Sequence, residues 1–287
     1  MKLSRSLVIL GAVVALGRPG AAQATDTTWI PASDDATLYE HPTGGLANGA
    51  GMHMFTGRTE ESQLSIRRAL VRFDIHDYVK ADAKVHEAKL LLYVSLPPDS
   101  SQQVSIHRVL QSWSEDTVDA PGTEEQGAPI GNRGVTWLRR DPVCVGCFWS
   151  TPGGDFDPLP LAASTLTDSV GIYEWQSPAL AEAAETWVTT CASSGGVILL
   201  TDEAQGGNLI RLNTRNHSDS AVRPLLQVVW SGGCLIDVPG KTVAAIGLRD
   251  WMIVETEDAL LICPRNRAQD VKDLVELIKR RKLQHLL

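Results

Sequence analysis

Between Trp29 and Trp230 the chain runs as short apolar stretches that alternate with polar residues and are cut every few positions by turn formers. That rhythm limits the fold more than any other feature. Alternation with period two puts successive side chains on opposite faces of a strand, whereas a helix needs a 3.6-residue period sustained over more than ten positions. Strands are expected at Ala36–Tyr39, Ala69–Asp74, Ala88–Ser95, Val104–Val109, Gly196–Thr201 and Leu225–Trp230. Pro97-Pro98-Asp99, Ala120-Pro121-Gly122 and Pro152-Gly153-Gly154 break the chain between them. With 24 Gly and 15 Pro in 287 residues, a β-sandwich or jelly roll is the expected architecture. One short helix interrupts it. Ser177 can cap that helix and Pro178 can open it, after which Leu180, Ala184 and Trp187 share a face.

The two ends read differently. Lys2 and Arg5 precede an apolar run from Leu7 to Leu16, and Ala22-Gln23-Ala24 supplies the small-x-small pattern that a signal peptidase accepts. The run is shorter than the roughly 20 residues that span a bilayer, so residues 1–24 are expected to be a cleaved signal peptide. The product would then be secreted, at the cell surface or in a periplasm. Thr25 to Gly233 holds 14 basic and 26 acidic residues, whereas Cys234 to Leu287 holds 9 and 8. The shift falls at Ser231-Gly232-Gly233, which divides the chain into a sandwich over 25–231 and a tail over 232–287. A net charge of −8 argues against nucleic acid as a partner.

In the tail, Thr242–Leu248, Trp251–Glu255 and Ala259–Cys263 read as strands, and Arg267–Leu287 as an amphipathic helix. The tail is therefore a small β-β-β-α appendage whose helix could support self-association. Of five cysteines, Cys144 and Cys147 form a lone CxxC, with no second ligand pair for zinc. A local disulfide or a pair of loop thiols is expected there. Cys263 reads as a buried free thiol.

The β region resembles the DNRLRE-type secreted domain, a family of jelly-roll modules related to carbohydrate-binding modules. Asp35-Ala36-Thr37-Leu38, Arg68 to Asp74, Ala88 to Leu92 and Val104 to Val109 open the resemblance. Trp113-Ser114-Glu115, Gly134 to Trp137, Trp149 to Asp155, Trp187-Val188, Gly195 to Leu199 and Arg223 to Val228 complete it in order. Asn213-Thr214-Arg215-Asn216 departs from the Ser-Arg-Glu-like run usual there. The resemblance implies export and attachment to cell-surface or extracellular material, with some relatives binding acidic polysaccharides such as alginate. The tail resembles the C-terminal end of mannose-1-phosphate guanylyltransferases, on Ala245 to Asp250, Val254 to Leu261 and Cys263 to Lys272. The nucleotide-binding α/β domain of that family has no counterpart here, so its chemistry does not transfer.

No catalytic signature is complete. His86-Glu87 lacks the second His of a zinc helix, and Gly240-Lys241-Thr242 lacks the glycine that a P-loop needs five residues earlier. No nucleophile elbow occurs. Asp34-Asp35, Glu115-Asp116 and Asp155 with Asp157 are acid pairs of the kind glycosidases use, but they read as solvated loop acids. The expected function is non-catalytic binding of a polysaccharide or cell-surface glycan. Trp113, Trp137 and Trp149 are the candidate stacking platforms, because an indole offers an apolar face and an N–H donor. Arg68, Arg72, Arg211 and Arg215, with Arg67, are candidates for a basic groove that pairs with carboxylates. Asp155 and Asp157 are candidate calcium ligands on a glycine turn, and no other cofactor is expected. The alternatives are a structural or assembly protein that oligomerises through the tail, or a relative of the sugar-nucleotide transferases.

Overall fold

The computed structural model describes residues 25–131, 133–141, 144–189, 195–232, 235–237, 251–255, 260–264, 267 and 270–271. In chain order its elements are β1 (Asp26–Pro31), β2 (Asp34–Tyr39), β3 (Leu46–Ala47), β4 (His53–Arg58), β5 (Ile66–Arg72), β6 (Lys84–Leu96), β7 (Gln102–Val109) and β8 (Ala128–Pro129). There follow β9 (Phe156–Leu166), β10 (Gly171–Gln176), α1 (Pro178–Thr189), β11 (Val197–Leu200), β12 (Ile210–Asn213) and β13 (Leu225–Ser231). The tail contributes β14 (Leu235–Asp237), β15 (Trp251–Glu255) and β16 (Leu260–Pro264). The chain is mainly β with one α-helix among the described residues, as the alternation predicts.

Eleven of these strands join in one curled sheet that folds into two layers. The first layer runs β1-β13-β6-β12, with β10 also on β6. The second runs β5-β11-β7-β9, with β2 also on β5. The turn between layers lies within β4, which pairs β12 through His53–Thr56 and β5 through Gly57–Arg58. Gly57 sits at φ +111°, and a Cβ there would lie 2.5 Å from the Asn208 carbonyl oxygen. Only glycine lets the strand change sheets at that corner.

Alternation fills the space between the layers. Leu90, Leu92 and Val94 of β6 meet Ala69 and Val71 of β5, Val104 and Ile106 of β7, and Val197 and Leu199 of β11. Each fully buried aliphatic side chain contributes about 1.5–3 kcal/mol of transfer free energy. The helix α1 closes one flank with Leu180, Ala184 and Trp187, the face read from sequence. Ser177 caps it as predicted, accepting the Leu180 N–H at 3.0 Å and donating to the Leu161 carbonyl.

The six expected strands of the sandwich all form, but β1, β4, β9, β10 and β12 were not foreseen. Pro158 and Pro160 disguise β9, which tolerates them because it lies at the end of the sheet order and leaves one edge unpaired. In the tail, β15 and β16 form the expected antiparallel pair. The third strand is β14, which pairs β15 in parallel and precedes the expected Thr242–Leu248. Thr242–Leu248 and most of the expected helix Arg267–Leu287 lie outside the described residues, as does the segment 1–24. Among the described residues no helix is long and apolar enough to cross a membrane. Cys144 and Cys147 are disulfide-bonded, and Cys263 is free but half-buried rather than buried.

Candidate functional site

The long connection from β7 to β9 folds back onto the outer face of the second layer. Strands β5 and β11 carry apolar residues on both faces, and Leu70 and Ile198, with Ala36 and Leu38 of β2, point away from the main core and need a cover. Trp113, Val135, Trp137 and Trp149 supply it. Their indoles retain only 3%, 8% and 5% of their exposure, respectively for Trp113, Trp137 and Trp149. Trp113 Nε1 donates to the Gly195 carbonyl at 2.7 Å and Trp149 Nε1 to the Thr136 carbonyl at 2.9 Å. The three tryptophans are thus the heart of a second hydrophobic cluster rather than open stacking platforms. The physical reason is the two-sided apolar character of the strands beneath them.

The arginines are also engaged within the fold and do not line a common groove. Alternation does place Arg68 and Arg72 on one face of β5, with Arg67 opposite. Arg68 makes a bidentate pair with Glu203 at 2.7 and 2.8 Å, donates to the Gly153 carbonyl, and lies 5.0 Å from the Trp137 ring centre. Arg72 pairs with Asp34 at 2.6 Å, donates to the Trp113 carbonyl, and lies 5.1 Å over the Trp113 ring. These two guanidiniums fasten the tryptophan layer to the sheet. Arg67 is buried against Tyr39, Arg211 donates to Ser95 Oγ, and Arg215 is held bidentately by Glu115. A basic groove for free carboxylates is therefore not what these side chains build.

Asp155 and Asp157 are turn formers. The Asp155 carboxylate accepts the backbone N–H groups of Ser150 and Thr151 at 2.8 and 2.9 Å and the Gln111 amide. Asp157 accepts the Leu159 N–H and faces Arg108 at 3.4 Å. Among the described residues no group of three or more His, Cys, Asp or Glu side chains is arranged to hold a metal ion. The oxygens of the expected calcium pair accept the hydrogen bonds that close the glycine turn.

Beside the covered indoles lies an open hollow of about 350 Å3, lined by Leu110, Gln111, Ser150, Thr151, Gly154, Asp155 and Phe156. Leu110 and Phe156 give it an apolar side, and Ser150, Thr151 and Gln111 give it hydroxyl and amide groups. A second hollow of about 270 Å3 follows along β9, between Leu159, Pro160 and the α1 residues Ala179, Glu182 and Thr186. The Arg108–Asp157 pair lines this second hollow. Sequence reasoning placed the aromatic residues of this region but missed Leu110, Gln111, Ser150 and Thr151. Their sequence signal was position alone: Ser150 and Thr151 lie between Trp149 and the Pro152-Gly153-Gly154 turn, and Leu110 and Gln111 lie just before Trp113.

A buried ionic knot pins the loops to the sandwich. Asp35 is fully buried; one carboxylate oxygen accepts the Arg215 N–H at 2.6 Å and the other has no partner. Burial pushes its pKa up to about 8, helped by the charges of Glu115 and Asp34, while the Arg215 N–H and guanidinium pull it down. Glu124 is the opposite case. Burial raises it, but hydrogen bonds from His53 and Asn48 prevail and hold it below the usual carboxylate range.

Comparison with known proteins finds a match toward the C-terminus. The MannoseP isomerase/GMP-like beta-helix domain family matches residues 228–278, beginning inside β13. A putative mannose-1-phosphate guanylyltransferase of Vibrio cholerae is 47% identical over 49 residues, 17% of this chain and 10% of that protein. The alginate biosynthesis protein AlgA of Pseudomonas aeruginosa is 48% identical over 46 residues, 16% of this chain and 10% of that protein. A mannose-1-phosphate guanylyltransferase of Escherichia coli is 49% identical over 49 residues, with 17% and 10% covered. The chain thus spans about a tenth of the length of these relatives. Its tail is similar to a short segment of a nucleotidyltransferase family.

Proposed function

We propose that this protein is an exported, non-catalytic module of the DNRLRE type that binds a polysaccharide or cell-surface glycan through the hollow at Leu110, Gln111, Ser150 and Thr151. The hollow beside the tryptophan layer is the observation that carries the reading. It joins an apolar wall to hydroxyl and amide groups, as recognition of a sugar ring requires, and a rigid buried layer supports it. The basic and apolar start of the chain and the sandwich architecture favour export and surface attachment. The nucleotidyltransferase likeness covers too short a segment to bring that family's reaction with it.

The test is retention of the full chain on immobilised alginate and on neutral polysaccharides, with a Leu110→Ala/Thr151→Ala variant alongside. Both side chains are solvent-exposed, so the variant keeps the fold. Retention of the wild type and a loss of about tenfold in the variant, the equivalent of 1.4 kcal/mol, are expected. A wild type that passes through every column contradicts the reading.

A further inference from the structure

The solvent face of the other layer carries a second set of unspent groups. The registers Trp29↔Gln227, Gln227↔Lys89 and Lys89↔Gln176 place these four side chains in one row across β1, β13, β6 and β10. Directly paired residues share a face, and the neighbours Ile30, Val228 and Leu90 point into the core, so the row faces outward. Trp29 is 50% exposed, in contrast to the three loop indoles. Trp113, Trp149, Trp175 and Trp230 donate their indole N–H to the fold, whereas Trp29 Nε1 has no hydrogen bond among the described residues. The amides of Gln227 and Gln176 likewise make no side-chain hydrogen bond there, and Lys89 is neutralised by Glu174 at 2.9 Å. The row is therefore flat, uncharged in sum and rich in groups that both donate and accept.

We infer that this row is a second binding site, for a neutral polysaccharide strand lying across the sheet. It lies on a different layer from the hollow and goes beyond that reading. An exposed indole offers the C–H face of a sugar ring an apolar partner, and flanking amides offer its hydroxyls hydrogen bonds. Strands ~4.8 Å apart spread four side chains over about 14 Å, which suits a polymer better than a monosaccharide. The acidic character of the molecule disfavours a polyanion here.

The experiment is retention of the full chain on cellulose, a β-1,3-glucan, starch and a galactomannan, comparing wild type with Trp29→Ala and Gln227→Ala. Unchanged circular dichroism and melting temperature establish that each variant is folded. Retention on at least one of these polymers is expected, weakened about tenfold by Trp29→Ala and less by Gln227→Ala. Retention that survives Trp29→Ala but falls with the Leu110 and Thr151 variant overturns this inference and leaves the hollow standing. Binding to alginate alone, or to no polysaccharide, overturns it as well.

Discussion

Asp34 and Asp35 are adjacent in sequence and opposite in fate. Strand alternation turns Asp34 outward to Arg72 and Asp35 inward, to full burial beside Glu115 and Arg215. The pair was legible in the sequence, but the environments that separate the two acids come from chain segments 80 and 180 residues away. Because the folded state holds the Asp35 proton up to about pH 8 and the unfolded chain releases it near 4, the folded state binds more protons between those values. Its contribution to stability is therefore intact below pH 4 and is lost as the pH rises toward 8, by at most about 1.4 kcal/mol per unit. Asp35→Asn removes that ionisation. Urea titrations from pH 5 to 9 should show a flatter stability profile for the variant than for the wild type. Gly153 is a second single-residue constraint. At φ +90°, with Arg68 Nη1 and Trp137 Cη2 within 2.7 Å of any Cβ, Gly153→Ala should cost about 1–3 kcal/mol, measurable as a lower urea midpoint.

At the scale of elements, the sequence signals that worked were local and those that failed depended on partners. Alternation in β6 and β13 and the Ser177-Pro178 helix start required no knowledge of the rest of the chain. The fully apolar Val197-Ile198-Leu199-Leu200 already implied a strand covered on both faces, and that clue decides the fate of the loop tryptophans. Composition alone could not say whether an indole in a long loop covers a sheet or faces solvent. Trp137→Ala should therefore act as a core truncation and cost about 3–5 kcal/mol of stability by chemical denaturation. Ser177→Ala should cost about 1 kcal/mol by removing the cap. If Trp137→Ala abolished glycan retention at unchanged stability, the loop layer would be a binding platform after all.

For the molecule as a whole, charge sets the range of partners. Thr25 to Gly233 has 26 acidic against 14 basic residues, and Glu115 and Asp157 partly neutralise Arg215 and Arg108. Any retention on a polyanion such as alginate should strengthen as ionic strength rises from ~0.01 to ~0.15 M, where the screening length falls from about 30 to about 8 Å. Retention on neutral polymers should not change. The charge count puts the expected boundary between sandwich and tail at residues 231–232, whereas the family match begins at residue 228, within the last sandwich strand. The most direct test of the account is an amide and indole N–H nuclear magnetic resonance titration of the full chain with oligosaccharides from a polymer that retains it. Saturable shifts at the backbone amides of Leu110, Ser150 and Thr151, with the indole N–H signals of Trp113 and Trp149 unmoved, are the predicted result. Saturable shifts of those two indole signals with the hollow's amides silent would contradict it.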